Sequence, residues 1–237
     1  IASVASAQDR EAFLAGETIH CPGCDLKDTN LKMRQLAGAD LSGADLSGVN
    51  FHRANLAGAN LSGANLELSN LNKTDLKRAD LSDANFSGAL LYEADASGAN
   101  FAGANLTKIH GQSMRLILAN MQDANLTQAD LEGARLNDVN MSGAILDDVN
   151  LISAHMFRAN LSGAAGTSAF FTEAEMRGSN LTGVVLVNSN LAQANLADSD
   201  FTDADFSGSY LLGANFQNSI LSGAEFTGAL MPDNTQR

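Results

Sequence analysis

Large apolar residues recur at every fifth position from Leu26 to Met231, and the frame never slips. These central residues are Leu, Phe or Met throughout, apart from Ala96, Gly111 and Gly166. Two residues before each centre the side chain is Ala, Ser, Thr, Val or Cys, with Arg34, Ile109 and Met114 as exceptions. The remaining positions are mostly polar or Gly. A period of five matches neither the 3.6 of a helix nor the 2.0 of a lone strand, so neither element could turn every centre to one core. The chain has to bend once per unit. The centre and the small residue two before it share one side of a short extended segment. The corners then fall on the Ser-Gly, Thr-Gly and Asp-rich positions that turns favour. The pattern predicts a coiled ribbon around a thin, dry core.

The units themselves, such as Ala39-Asp40-Leu41-Ser42-Gly43 and Ala159-Asn160-Leu161-Ser162-Gly163, resemble the A(D/N)LxG consensus of the pentapeptide-repeat family. The resemblance spans 210 of 237 residues. It implies an all-β fold, a right-handed quadrilateral parallel β-helix of about ten coils, in which residues twenty apart stack on one face. The domain layout is then a tail or signal remnant over 1–7, a capping helix over 8–18, the β-helix over 19–233 and a tail over 234–237. The helix reads from Asp9 as N-cap through Phe13 and Leu14 to Gly16 as its stop, and it would lie over the open end of the core. At the other end, Pro232 to Arg237 is short and polar. Either that tail curls across the last coil, or two rods abut there as a homodimer through Phe216, Leu221, Phe226 and Met231. The exposed core favours the dimer.

Lys and Arg number 14 against 27 Asp and Glu, a net charge of −13, which disfavours nucleic acid and anionic membranes as partners. No stretch is apolar for long enough to span a membrane. Ala5-Ser6-Ala7, after an apolar start, has the small-x-small form of a secretory cleavage site; the other reading is a tail of small residues. Cys21 lies on the repeat frame and Cys24 at the next small inward position, so the two thiols meet around one corner. A structural disulfide is favoured over free buried thiols, and a zinc site would need two further ligands where only His20 is adjacent. Both features point outside the cytoplasm, to a periplasm, a thylakoid lumen or a secreted location.

Catalysis needs convergent groups, and His20, His52, His110 and His155 fall apart from any nucleophile on the repeat lattice. No enzyme activity, metal or cofactor is expected. The departures from the repeat are more informative. Ile109 and Gly111 exchange the large and small inward roles, which conserves core volume. Gly166 has no such compensation, so it leaves a Leu-sized hole unless the coil collapses or something fills it. Met121 over Met141 and Met156 over Met176 read as adaptable packing. On the outer surface one column runs Asp75, Asp95, Arg115, Arg135, His155, Glu175, with Ile117, Leu118, Phe157, Arg158 and Arg177 beside it, all expected to be exposed. Arginines among apolar residues suit a protein-binding patch, the alternative being a ladder in which flanking acids satisfy the arginines. Another column, of Asn and Asp from Asp40 to Asp200, reads as a structural ladder. The function implied is a binding or scaffold module for another macromolecule, its partner unknown. The alternative comes from quinolone-resistance relatives, acidic rods that resemble duplex DNA and occupy the DNA site of gyrase. The arginine group interrupts the uniform charge such a mimic needs.

Overall fold

The computed structural model describes residues 4–237. Each unit is a bend followed by a single bridging residue, and the bridges from Asp25↔Asp45 to Tyr210↔Leu230 all join residues twenty apart in parallel. With five residues per unit, four units complete each turn of a parallel β-helix. Among the described residues the bridge widens into a ladder in one place, where β1 (Ala165–Thr167) pairs in parallel with β2 (Val185–Val187).

The backbone accounting explains why five residues suffice. In the unit around Leu41 the centre donates to Asn60 O at 2.8 Å and Gly43 donates to Ser62 O at 2.9 Å, both in the next coil. Ala44 donates to Leu41 O at 3.1 Å and closes the bend, while Asp45 reaches back to Cys24 O at 2.9 Å. The third residue of each bend has positive φ, as a turn of this hand requires: 65° at Gly23, 61° at Gly43, 57° at Arg53. Glycine takes that conformation freely, which is why the corner so often reads Ser-Gly.

Inside, Leu61, Leu81 and Phe101 are fully buried in one continuous core. Serines at the small inward position are buried too, and each is satisfied along the tube. Ser199 Oγ donates to Met176 O at 3.0 Å and accepts the Ser179 amide at 3.1 Å. Outside, the Asn column is hydrogen-bonded coil to coil: Asn120 to Asn100 at 3.0 Å, Asn140 to Asn120 at 2.9 Å, Asn160 to Asn140 at 3.0 Å.

Where Asp stands in that column its carboxylate accepts from the following bend. The Ser42 hydroxyl, then its amide, hold Asp40 below the usual carboxylate range, and Thr202 does the same for Asp200. At Asp80 burial pushes upward, but the Ser82 hydroxyl and amide outweigh it. Each pKa is therefore lower folded than unfolded. Their stabilisation is complete above the unfolded value and is lost as pH falls through the folded ones. We expect the melting temperature to hold from about pH 7 to 5 and to decline below about pH 4. A triple Asp40→Asn, Asp80→Asn, Asp200→Asn variant should decline less, because Asn60 accepts the Ser62 hydroxyl in the same way at 2.8 Å. An unchanged acid slope in that variant would show that these bends do not govern acid stability.

The N-terminal end corrects one expectation. Helix α1 spans Val4–Ala15, so Asp9 is inside it rather than at its N-cap, and the helix takes in much of the 1–7 segment; residues 1–3 lie outside the described ones. The small residues Ala5, Ser6 and Ala7, read from sequence as a cleavage site or a tail, are compatible with helix. Its stop is where Gly16 predicts: Gly16 (φ 82°) donates to Phe13 O and Glu17 to Ala12 O, the paired bonds of a Schellman cap. Phe13 is fully buried over the first coil. At the far end the tail curls back rather than leaving the last coil bare. Leu230 pairs antiparallel with Gln236, and the Arg237 guanidinium sits 5.9 Å from the centre of the Phe226 ring. Phe226 is thereby buried, Phe216 and Met231 are half-buried, and Ile220 and Leu221 stay exposed.

Candidate functional site

Cys21 and Cys24 are both fully buried and form a disulfide around the first corner, with Cα atoms 5.4 Å apart. Among the described residues no group of His, Cys, Asp and Glu could hold a metal ion, and no helix is long and apolar enough to cross a membrane. The Leu-sized hole at Gly166 does not exist. A Cβ on Gly166 would lie 2.7 Å from both the carbonyl carbon and oxygen of Leu146, so the coil has closed onto the glycine. At Gly111 the Ile109 and Leu131 side chains fill the space, as the exchange of large and small suggested.

The outer column is assembled by the bridges Asp75↔Asp95, Asp95↔Arg115, Arg115↔Arg135, Arg135↔His155 and His155↔Glu175, which stack these residues one coil apart. The acids in and around it are occupied by other groups. Lys77 Nζ lies 3.0 Å from Asp75 and 3.4 Å from Asp95. Arg158 takes both oxygens of Asp138 at 2.7 Å, Arg177 takes Asp198 at 2.7 Å, and Glu175 accepts from Asn195 at 2.9 Å. Arg115 and Arg135 are left without an ion pair or side-chain hydrogen bond among the described residues. The self-satisfied ladder is thus not formed at its centre.

Leu118, Arg158 and Arg177 are exposed as expected, but Ile117 and Phe157 are half-buried. They occupy the second residue of the bend, whose side chain lies along the neighbouring coil: the Phe157 amide donates to Asn137 Oδ1 at 3.1 Å, one coil below. The third residue, with positive φ, is exposed at Leu118 and Arg158. Two grooves flank the strip from Arg115 to Leu118. One, of about 430 Å³, is lined by Glu93, Ser113, Arg115, Gly133, Arg135 and His155. The other, of about 680 Å³, lies beside Ile117 and Leu118.

Sequence reading missed a second basic area. Lys32, His52, Arg53 and Lys73 occupy successive coils of one corner, and burial, then the charges of Lys32, Arg53 and Lys73, hold His52 below its usual pKa. The signal was present: these residues follow Leu31, Phe51 and Leu71 by one or two positions, and those centres stand twenty apart. Lys73 is partly neutralised by Glu93 at 3.2 Å.

Comparison with known proteins adds the following. The family model described as pentapeptide repeats matches in 8 copies, over residues 35–72, 69–107, 119–156, 144–183, 179–211 and 199–231. No curated protein matches in sequence. Among solved structures, HetL, a pentapeptide repeat protein involved in heterocyst differentiation regulation from the cyanobacterium Nostoc sp. strain PCC 7120, is 30% identical over 98% of each chain with a TM-score of 0.51. QnrB1, a plasmid-mediated fluoroquinolone resistance protein, is 19% identical over 83% of this chain and 88% of its own, with a TM-score of 0.46. A pentapeptide repeat protein of the Arabidopsis thaliana thylakoid lumen is 28% identical over 57% of this chain and 70% of its own, with a TM-score of 0.30.

Proposed function

Because this chain belongs to the pentapeptide-repeat family, we propose that it is a non-catalytic binding or scaffold module working outside the cytoplasm, a right-handed tube of about ten coils that presents one side to a protein partner. The observation that carries this reading is the stack of Arg115, Arg135 and His155, without an ion pair among the described residues, on a chain of net charge −13 and set beside exposed Leu118. Two like charges on adjacent coils repel each other, and a fold with this many acids could have neutralised them. A partner's acids would do so on binding. The Cys21–Cys24 disulfide supports an oxidising compartment. HetL, the relative at 30% identity, is described as taking part in regulation, which accords with binding rather than turnover. A DNA mimic would need an unbroken negative flank, and the basic column interrupts it.

The test is co-purification from the periplasmic or lumenal fraction. The Arg115→Ala/Arg135→Ala variant is expected to recover at least tenfold less of the bound partner than the native chain, at unchanged melting temperature. Equal recovery would sink the assignment of this face.

A further inference from the structure

Leu118 combines two unfavourable features. It occupies the third residue of its bend with φ of 60°, a position that Gly43, Gly63 and Gly98 fill elsewhere, and its side chain is 67% exposed. A branched side chain in the left-handed region is strained, and here no burial offsets the strain. Leu68 shares the conformation, with φ of 56°, and is equally exposed at 68%; it differs in reaching its neighbour, its Cδ2 lying 2.8 Å from where a Cβ on Gly88 would be. The coil above Leu118 presents Asp138, already held by Arg158. Leu118 instead borders the groove of about 680 Å³, whose floor is kept low by the small residues Ala57, Gly58, Ser97 and Gly98. Lys77 and Arg78 also line it, the Arg78 Cγ lying 3.6 Å from where a Cβ on Gly98 would be, and Arg115 lies three residues back along the chain.

We propose that Arg115, Arg135 and the Leu118 groove form one two-part site for an acidic peptide segment carrying an aromatic or aliphatic anchor. The carboxylates settle on the two unpaired guanidiniums, and the anchor lies in the groove against Ile117 and Leu118. The assignment deepens the scaffold reading and rests on it. Charge complementarity selects the acidic partner, because these arginines have no acid of their own. The strained, exposed leucine selects the anchor, because an inorganic anion would use the arginines alone and leave Leu118 without a role.

The experiment titrates the isotopically labelled full chain with a synthetic ten-residue peptide of Glu interspersed with Phe, followed by amide chemical shifts. Shifts are expected at residues 97–98, 115–118 and 135. Replacing Leu118→Gly should weaken binding at least tenfold while raising the melting temperature by about 2 °C, since Gly relieves the turn. That combination cannot come from misfolding. Arg115→Ala/Arg135→Ala should weaken binding by a similar factor. Equal affinity for an all-Glu peptide, or unchanged affinity in Leu118→Gly, overturns the two-part site. Binding to vesicles of anionic lipid in place of the peptide overturns it in favour of a membrane surface. Failure of the peptide while the arginine variant still loses its co-purified partner would reject this assignment and leave the scaffold reading in place.

Discussion

Replacing Gly166 by Ala is expected to lower stability by about 2–3 kcal/mol, and replacing it by Leu, the residue the repeat calls for, by more. The expectation runs against consensus reasoning, and the geometry supplies the reason. The nearest atoms to a new Cβ are the Leu146 carbonyl carbon and oxygen at 2.7 Å and its Cβ at 2.8 Å. The first two are backbone, fixed in turn by the bond from the Leu146 amide to Ala165 O at 2.7 Å. Restricting the unfolded chain by removing a glycine returns only about 0.4–1 kcal/mol, so the clash dominates. Gly111 provides the internal control. A Cβ there meets Leu131 Cδ2 at 2.9 Å and Ile109 Cδ1 at 3.5 Å, both ends of flexible side chains, and the Asp130 carbonyl no closer than 3.4 Å. Gly111→Ala should therefore cost no more than about 1 kcal/mol. Chemical denaturation of the two variants side by side decides the matter. If Gly166→Ala matches the native chain, the coil around it is looser than the structure indicates.

This contrast also marks how far sequence alone carries. The five-residue frame was sufficient to place Leu61, Leu81 and Phe101 in one interior, and the stacking of Asp75 through Glu175 follows from counting by twenty. Those are consequences of periodicity. What Gly166 does with its missing volume is not, because collapse and cavity read identically in sequence and differ only in the energy of moving Leu146. The same holds for the basic column. Acids at Asp95 and Glu175 flank the arginines in sequence, yet Lys77 and Asn195 reach them first, and only side-chain geometry reveals which cations are left over. Ile117 and Phe157, second in their bends, are half-buried where Leu118 and Arg158, third in theirs, are exposed, although Arg177, also second, is exposed. Treating Ile117 and Leu118 alike missed that distinction.

Arg34 shows an exception in the repeat serving the fold's weakest point, and it carries the second large effect. It stands where a small inward residue belongs, and its Nη2 donates to Phe13 O at 3.0 Å, with the guanidinium 5.5 Å from the centre of the Phe13 ring. The last carbonyls of α1 thus gain a cationic partner, and the helix is held over the open first coil; Arg10 adds a bond from Nε to Asp25 O at 2.7 Å. Phe13 supplies the apolar lid. Phe13→Ala should cost about 3–4 kcal/mol, within the range for large core truncations, and Arg34→Ala about 1.5–3 kcal/mol through lost charge-assisted bonds. Because each coil leans only on its neighbours, the loss should begin at one end. Hydrogen exchange is expected to accelerate first in amides such as Leu26, Leu31 and Leu36, while Leu161 and Leu181, several coils away, keep native protection. Uniform acceleration along the whole tube would mean that it unfolds as a single cooperative body and that α1 is not a local cap.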